Sequence, residues 1–327
     1  MTGVAGKRVR IAVIVPVAPF EPEKVVVESA RWLKGLEYCG DVRILYVIDR
    51  KGGKDRRAEK VRELGVQVLE RENTRGKRAG AINDGLDCLR DFNPDYVAIF
   101  DVDSRPEKNF VVENIRMLEQ DEKAYLSSSP RRVSNPVNFV SKTVEVEYHL
   151  LNYLIKKNGY RQFNGLIGVL RAKFLYEHRL NEDVITEDAD FSTRMHALGY
   201  RALYCENSAV YEQAPLSWTD LYNQRKRWYY GGLQLWRYRK LVSRSKNRKF
   251  KYSWYAALTL TYLPVLMIPF LLFLGPPLVL AKFRNVKKLM AVPGLVIHSL
   301  VLQLAAVSAV ISFVRKRGVE WKAARRV

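Results

Sequence analysis

The sequence predicts a doubly wound α/β fold with a mostly parallel sheet, followed by a helical region that contacts a membrane. Short, β-branched apolar runs alternate with helical patterns over the first two hundred residues. Parallel strands covered by helices on both faces have such continuous apolar runs. The last quarter of the chain differs, because it contains two long apolar runs, residues 254–280 and 289–314, without a Lys, Arg, Asp or Glu.

Local composition places the elements of the α/β part in order. We expect strands at residues 9–15, 42–48, 66–69 and 96–100, and helices at residues 23–37, 55–64 and 78–89. The later segments 137–157 and 216–242 are amphipathic. Aromatic and basic residues are interleaved in the second segment, which is typical of a helix in the membrane interface. A surface helix packed on its domain is the alternative. Neither a GxGxxG fingerprint nor a GxxxxGK[ST] loop occurs, so dinucleotide and P-loop sites are not favoured.

Positive charge is concentrated in the last third of the chain. The protein has 55 Lys and Arg against 34 Asp and Glu, which gives a net charge of +21. Residues 216–327 carry +19 of this charge and residues 1–215 only +2. Because the charge flanks the apolar runs, it indicates contact with anionic headgroups rather than nucleic acid. The three cysteines are widely separated and have no metal-ligand spacing, so we expect reduced packing residues in a cytoplasmic domain.

The two apolar runs are long enough to cross a membrane. They contain 27 and 26 residues, whereas about 20 residues cross a hydrocarbon core about 30 Å thick. Buried core helices are the alternative. Four prolines interrupt the first run, which is therefore either a kinked span or a re-entrant segment. The flanks of the two runs are more basic than the turn between them, so a transmembrane hairpin places both flanks in the cytoplasm.

These patterns predict three regions. We expect a cytoplasmic catalytic domain at residues 1–215, an amphipathic interface helix at residues 216–253 and a transmembrane region at residues 254–327.

Carboxylates follow two of the predicted strands. Asp49 ends the second strand, and Asp101 and Asp103 come directly after the fourth. Open α/β sheets bind their ligands beyond the carboxyl ends of the strands. An Asp-x-Asp triplet is often no more than a pair of solvated turn acids. After a buried strand it favours a site for Mg²⁺ or Mn²⁺, which bridge carboxylates to substrate phosphates.

A third acidic group begins a predicted helix. Thr186 is a plausible N-cap, and an acid in the first turn, such as Glu187, complements the helix dipole. Capping accounts for Glu187 but does not require the further acids Asp188 and Asp190. One of these acids is therefore a candidate general base.

A fourth group lies in the basic aromatic segment. Gln224, Arg227 and Trp228 fall on one face of a helix. A guanidinium suits a diphosphate, and an indole face suits a sugar ring or a nucleobase. By itself, this group is only a basic aromatic helix.

Together and in this order, the four groups resemble the D, DxD, TED, QxxRW series of membrane-bound family 2 glycosyltransferases, the cellulose-, chitin- and hyaluronan-synthase-like enzymes. Residues 75–83 are similar to that family's Gly-Lys-rich segment, and residues 163–165 to its acceptor-side loop. The resemblance covers about residues 10–228. The small size and short membrane part look most like a minimal archaeal membrane mannosyltransferase. Residues 16–21 depart from the family's Pro-x-x-Asn-Glu opening, where nucleobase contacts are made.

The resemblance implies a GT-A fold and assigns roles by position. Asp49 would contact the donor nucleoside and Lys77 would approach the donor. Asp101 and Asp103 would hold the diphosphate through Mg²⁺ or Mn²⁺, with Asp103 as the more direct ligand. Asp188 would deprotonate the acceptor hydroxyl for inverting attack. The residues implied at the acceptor and the leaving diphosphate are Gly165, Glu187, Gln224, Arg225, Arg227 and Trp228.

The implied activity is that of a metal-dependent hexosyltransferase of the EC 2.4 class. We expect it to transfer a sugar, with mannose from GDP-mannose favoured, from a nucleotide-sugar donor to a lipid-linked acceptor at the cytoplasmic membrane face. A processive synthase and a dolichyl-phosphate sugar synthase using a UDP-sugar are the alternatives, but two apolar runs are too few to enclose a polymer channel. A non-catalytic nucleotide-sugar sensor is disfavoured, because binding alone needs no base at Asp188. Membrane lipids are expected partners and nucleic acid is not.

Overall fold

The structure is a computed structural model and describes residues 8–50, 52–53 and 55–319. The chain divides into two compact units, the first formed by Met1–Pro130 and Arg161–Tyr211 and the second by Arg131–Tyr160 and Glu212–Val327. The sequence predicted a boundary at residue 215, close to the start of the last segment. Residues 131–160 differ from the prediction, because they group with the helical unit rather than with the catalytic domain. Three basic residues of the predicted cytoplasmic flank after the second apolar run, Lys322, Arg325 and Arg326, lie outside the described residues.

The first unit alternates strands and helices as the sequence predicts. Its first part consists of β1 Arg10–Val17, α1 Glu23–Lys34, β2 Asp41–Asp49, α2 Arg56–Glu63, β3 Gln67–Arg71, α3 Lys77–Cys88, β4 Tyr96–Ile99, β5 Arg105–Pro106, α4 Phe110–Glu119 and β6 Ala124–Ser128. The chain then forms β7 Arg131–Val133 and α5 Phe139–Lys157 of the second unit. It continues in the first with β8 Gly168–Arg171, α6 Ala172–His178, α7 Glu187–Ala197 and β9 Arg201–Tyr204, and the boundary between Tyr211 and Glu212 falls within β10 Val210–Glu212.

Seven strands of the described chain form a mixed, mostly parallel sheet in the order β3-β2-β1-β4-β8-β6-β9. The pairs on either side of β8 are antiparallel and the other pairs are parallel. Strand β1 is buried almost throughout, which explains its uninterrupted apolar sequence. Because β2, β1 and β4 run in the same direction, Asp49 and the residues after Ile99 lie at the same edge of the sheet. The predicted parallel, doubly wound arrangement is confirmed for these strands.

The second unit is mainly helical. After α5 it contains α8 Trp218–Gln234, α9 Arg239–Arg244, α10 Arg248–Thr259, α11 Ile268–Phe283 and α12 Ala291–Val314, with short 3₁₀ turns between them. Asn138 and Ser141 cap the start of α5 reciprocally, and the Ser217 side chain caps α8. The predicted interface helix at residues 216–253 is therefore a series of helices rather than one.

Helix α12 packs against α5, α8 and α11 within this unit. At Gly294 it approaches α5 so closely that an added Cβ would come within 2.1 Å of the Thr143 Oγ1. The Tyr222 hydroxyl on α8 lies 2.7 Å from the Ser308 hydroxyl, and the Gln303 amide donates to the Tyr262 carbonyl at 3.2 Å. Small and polar residues thus allow α12 to serve as the central helix of the unit.

Two helical segments of the described chain are long and apolar enough to cross a membrane, Pro264–Lys282 and Ala291–Val314. The first begins ten residues later than predicted, because the helix breaks around Leu263, the residue before Pro264. Trp254, which begins the predicted run, is instead a fully buried residue of α10. Large apolar side chains remain exposed on the two segments, with Phe273 exposed to 80%.

Candidate active site

The DxD triplet forms a tight turn directly after β4. The Ser104 N–H donates to the Asp101 carbonyl at 3.0 Å, and the Asp101 N–H donates to the Ser104 Oγ at 3.2 Å. Val102 points into the core, whereas Asp101 and Asp103 stay partly exposed. The two carboxylates of the triplet therefore lie on the accessible side of a turn that its own hydrogen bonds hold in place.

Arg78 joins three of the predicted site segments within the first unit. Its Nε donates to the Asp101 Oδ1 at 2.9 Å, its Nη1 to the Glu187 Oε1 at 2.7 Å and its Nη2 to the Gly165 carbonyl at 2.6 Å. The side chain is only 13% exposed. Although burial alone would lower the pKa of Arg78, the charges of Asp101 and Glu187 raise it above its ordinary value. Arg78 is therefore a permanent cation shared by two carboxylates.

The sequence had assigned the approach to the donor to the neighbouring residue, Lys77. The structure places Lys77 on the exposed side of the chain, where α3 begins after Gly76. Gly76 and Lys77 both have left-handed backbone conformations, with φ of +62° and +49°, and Arg78, which follows them, faces Asp101 and Glu187. Because Lys77 and Arg78 are adjacent and both basic, the sequence does not show which side chain faces inward. Arg78 was therefore not predicted as a site residue.

The loop before β8 is held close to α7. Gly165 has a φ of +66°, and a Cβ there would come within 3.1 Å of the Arg78 Nη2 and 3.4 Å of the Asp101 Oδ2. Its N–H donates to the Asp188 Oδ2 at 2.6 Å. Conformation and space thus both require glycine at this position.

The acids at the start of α7 differ in their surroundings. Glu187 pairs with Arg78, and burial raises the pKa of the Glu187 carboxyl. Asp190 is fully buried and pairs with Arg194 at 2.9 Å, as a structural ion pair does. Asp188 receives N–H groups from Gly165 and, at 2.8 Å, from Ala189.

Asp188 therefore stands out among these acids. In the part of the chain that the structure describes, backbone N–H groups rather than a cation hold its carboxylate. Thr186 occupies the N-cap position as predicted, but its side chain makes no capping hydrogen bond.

Asp49 lies beside arginines that the sequence reading did not single out. Its Oδ1 is 3.3 Å from the Arg71 Nε, and Arg71 also pairs with Asp84 at 3.2 Å. Burial raises the pKa of Asp49 to about 6, against the opposing charge of Arg71. Arg57 donates to the Asp49 carbonyl at 2.8 Å and also to the carbonyls of Ala18, Pro19 and Glu21. Arg57 thus fastens the opening segment that departs from the family pattern.

Gln224, Arg227 and Trp228 belong to α8 of the second unit and are half-buried. Arg225, which the resemblance implied at the acceptor or the diphosphate, is instead only 4% exposed. Its Nη2 donates to the Glu147 Oε2 at 2.6 Å, and its guanidinium lies 4.0 Å from the centre of the Trp228 ring. Glu147 was not singled out from the sequence.

The donor atoms of the DxD turn suit a hard cation. Among the described residues, no group of three or more His, Cys, Asp or Glu side chains is arranged to hold a metal. Mg²⁺ commonly uses only one or two carboxylates and takes further ligands from substrate phosphates and water. Asp101 and Asp103 provide such a pair of oxygen donors, so the residues fit a cation that binds together with a diphosphate.

Comparison with known proteins decides the family. The model of glycosyl transferase family group 2 matches residues 96–310, about two thirds of the chain. The chain belongs to this family. The predicted family is thereby confirmed.

Similar proteins include plant and bacterial glycan synthases. A probable glucomannan 4-beta-mannosyltransferase 4 of Oryza sativa subsp. japonica is 28% identical over 54% of this chain and 33% of its own length. The cellulose synthase catalytic subunit [UDP-forming] of Pseudomonas fluorescens (strain SBW25) is 26% identical over 62% of this chain and 28% of its own. The chain thus spans about a third of the length of such relatives.

A solved structure confirms the GT-A-like fold of this glycosyl transferase. The mannosyltransferase PcManGT from Pyrobaculum calidifontis, solved in complex with GDP-Man and Mn²⁺, matches 95% of this chain and 89% of its own with a TM-score of 0.69. The sequence identity is 18%, so this likeness concerns the fold.

We predict that Arg78 stabilises the first unit and that Lys77 does not. Arg78→Met leaves Asp101 and Glu187 without their shared cation, and removal of one partner of a buried ion pair costs about 3 kcal/mol of unfolding free energy. Lys77→Met should change it by less than about 0.5 kcal/mol, as is usual for exposed positions. Urea unfolding of both purified variants measures the difference. Equal losses would contradict the assignment of the inward position to Arg78.

Proposed function

We propose that this protein is an inverting mannosyltransferase that transfers mannose from GDP-mannose to a lipid-linked glycan at the cytoplasmic face of a membrane. The observation that carries the proposal is the arrangement around Arg78, in which the DxD turn, the Gly165 loop and the start of α7 meet. Mannose is supported by the glucomannan mannosyltransferases among the relatives and by the mannosyltransferase that shares the fold.

The donor is proposed to bind at the carboxyl edge of the sheet. Asp49 would accept hydrogen bonds from nucleobase N–H groups, with Arg71 and Arg57 holding its carboxylate and its backbone. Asp101 and Asp103 would hold Mg²⁺ or Mn²⁺ together with the diphosphate. Such an ion neutralises the negative charge that develops on the leaving diphosphate. Arg78 would keep Asp101 oriented toward that ion.

Asp188 is the proposed general base. The N–H groups of Gly165 and Ala189 orient its carboxylate, and among the described residues no cation pairing has to be broken for it to accept a proton. It would take the proton of the acceptor hydroxyl while that oxygen attacks the anomeric carbon on the face opposite the diphosphate. Attack from that face inverts the configuration of the sugar. Glu187, which pairs with Arg78, would orient the guanidinium rather than react.

The second unit is proposed to bind the acceptor and the membrane. The motif order of the sequence supports a role of Gln224, Arg227 and Trp228 at the acceptor and the leaving diphosphate. The two apolar segments and their exposed side chains support membrane insertion, with the basic flanks in the cytoplasm. Insertion would hold the protein at the surface where a lipid-linked acceptor presents its glycan.

A screen of the purified protein tests this function. GDP-mannose and UDP-sugars are each combined with Mg²⁺ or Mn²⁺ and a polyprenyl-linked acceptor, and the products are sized by mass spectrometry. One or a few added mannose units support the proposal. Long polymers identify a processive synthase, a free polyprenyl-phosphate sugar identifies a dolichyl-phosphate type of synthase, and donor binding without any product identifies a sensor.

The metal is expected to be necessary for transfer. EDTA should abolish product formation, and Asp103→Asn should weaken donor binding in the presence of Mn²⁺ by at least about tenfold, since even the loss of a group that only orients a metal ligand costs that much. Isothermal titration with GDP, with and without Mn²⁺, measures the binding. Exposed Asp183 provides the control, because Asp183→Asn should bind normally. Full activity in EDTA would refute the metal assignment.

Asp188→Asn should lower turnover by a factor of about 10²–10⁴, the usual contribution of a general base. Donor affinity should remain near that of the unchanged protein, because the substitution preserves size and removes the proton acceptor at the cost of only one of the two N–H bonds to this side chain. Single-turnover rates and GDP titrations separate the two effects. If Asp188→Asn keeps at least half of the normal rate, the base is another group.

Donor affinity should depend on pH through Asp49. The pKa of about 6 in the folded protein lies above the ordinary value of 3.8, so ionising Asp49 costs folding stability as pH rises through about 6. The ionised carboxylate accepts nucleobase N–H groups, hence GDP affinity should increase between pH 5 and pH 7 and then level off. Asp49→Asn should bind GDP more weakly, with only the pH dependence that the phosphates impose. Parallel pH profiles of the two proteins would contradict the role of Asp49.

A further inference from the structure

Three ionisable side chains meet inside the second unit, each from a different helix. Glu147 lies on α5, Arg225 on α8 and His298 on α12. The Arg225 Nη2 donates to the Glu147 Oε2 at 2.6 Å, and the His298 Nε2 lies 3.0 Å from the same oxygen. Each of these side chains is at least 88% buried. Glu147 therefore stands between the other two.

Glu147 and Arg225 form an ion pair in this cluster despite its burial. Burial alone would raise the pKa of Glu147, but the neighbouring Arg225 and His298 side chains lower it to about 2. A buried ion pair of this kind is often no more stabilising than apolar residues of the same size, and its clearest benefit is to fix one arrangement of the chain. The group that this cluster holds in place is the indole ring of Trp228.

Arg225 passes the constraint on to Trp228. The two residues are three positions apart on α8, so their side chains are neighbours on the helix. The guanidinium lies 4.0 Å from the centre of the indole ring, within the range of a cation–π interaction, and covers one face of that ring. The carboxylate of Glu147 fixes the guanidinium, which in turn fixes the orientation of the indole.

The chain of contacts ends on α12. His298 lies on this helix, one of the two segments long enough to span a membrane. A separate hydrogen bond between Tyr222 and Ser308 also joins α8 to α12. The orientation of Trp228 is thus tied to α12 by a charged route through Glu147, beside a neutral contact elsewhere on the same two helices.

We infer that Glu147 and His298 are positioning residues that hold Trp228, through Arg225, in the orientation that receives the acceptor sugar. The inference rests on the proposed function for the acceptor role of Trp228. The orientation of the indole itself does not depend on that function. The QxxRW motif therefore depends on two residues outside it, Glu147 and His298, and His298 lies on a candidate membrane helix.

A spectroscopic experiment tests the orientation without any activity. The full chain is labelled with 5-fluorotryptophan in detergent, and the ¹⁹F resonance of Trp228 is assigned by its loss in Trp228→Leu. Glu147→Gln keeps the size and a hydrogen-bond acceptor but removes the charge, and it should shift or broaden this resonance. His298→Asn should do the same to a smaller extent. Tyr222→Phe is the matched control, because it removes only the neutral contact between α8 and α12.

An unshifted Trp228 resonance in Glu147→Gln would overturn the inference, and so would an equal shift in Tyr222→Phe. Kinetics then test the link to the acceptor. Glu147→Gln should reduce kcat/KM for the acceptor by about tenfold, as expected for a misplaced binding group, while the Kd for GDP stays unchanged. In a Trp228→Leu background, the same substitution should have an effect of less than about twofold, because residues that act through one group are not additive.

Equal effects in both backgrounds would overturn the positioning role, since Glu147 would then act on the fold as a whole. If the donor screen yields no transfer, the proposed function fails, and the ¹⁹F spectra still decide whether Glu147 orients Trp228.

Discussion

The three hydrogen bonds of Arg78 are the constraint on which the candidate site depends. A buried guanidinium must be matched by acceptors, and Arg78 finds them in Asp101, Glu187 and the carbonyl of Gly165. Glu187 is separated from it by 109 positions in the sequence. The turn after β4, the loop before β8 and the start of α7 are therefore fixed to one another by a single side chain. The antiparallel pairing of β4 with β8 brings two of these segments to the same part of the sheet.

The partners of the carboxylates also distinguish these acids from one another. Asp49, Glu187 and Asp190 each have an arginine partner, whereas backbone N–H groups hold Asp188. Each of the three paired acids orients a guanidinium, whereas the N–H groups orient the carboxylate of Asp188 itself. This difference in environment, rather than in residue type, supports the proposal that Asp188 accepts the proton.

Much of this arrangement was predictable from the sequence, and the exceptions have physical causes. The strands β1, β2 and β4 were found because buried parallel strands have continuous apolar sequences, and Asp49 and Asp101 followed from their ends. The inward position of Arg78 was missed, because local composition does not reveal that Gly76 and Lys77 before it both take left-handed conformations. The partnership of Arg225 with Glu147 joins residues 78 positions apart on two helices, which local periodicity does not reveal. Pro264 signals the break around Leu263, but the sequence prediction still began the apolar segment ten residues earlier, at Trp254.

Charge balance links the first unit to its proposed cofactor. The DxD turn and the start of α7 together contribute Asp101, Asp103, Glu187 and Asp188, while Arg78 is the cation that bonds to both segments. A diphosphate brings further negative charge, and like charges that share one site repel one another. Arg78 cannot offset this repulsion alone, because its donors are already engaged by Asp101, Glu187 and Gly165. A divalent cation bound with the donor at Asp101 and Asp103, as proposed above, would supply positive charge beside both the carboxylates and the diphosphate.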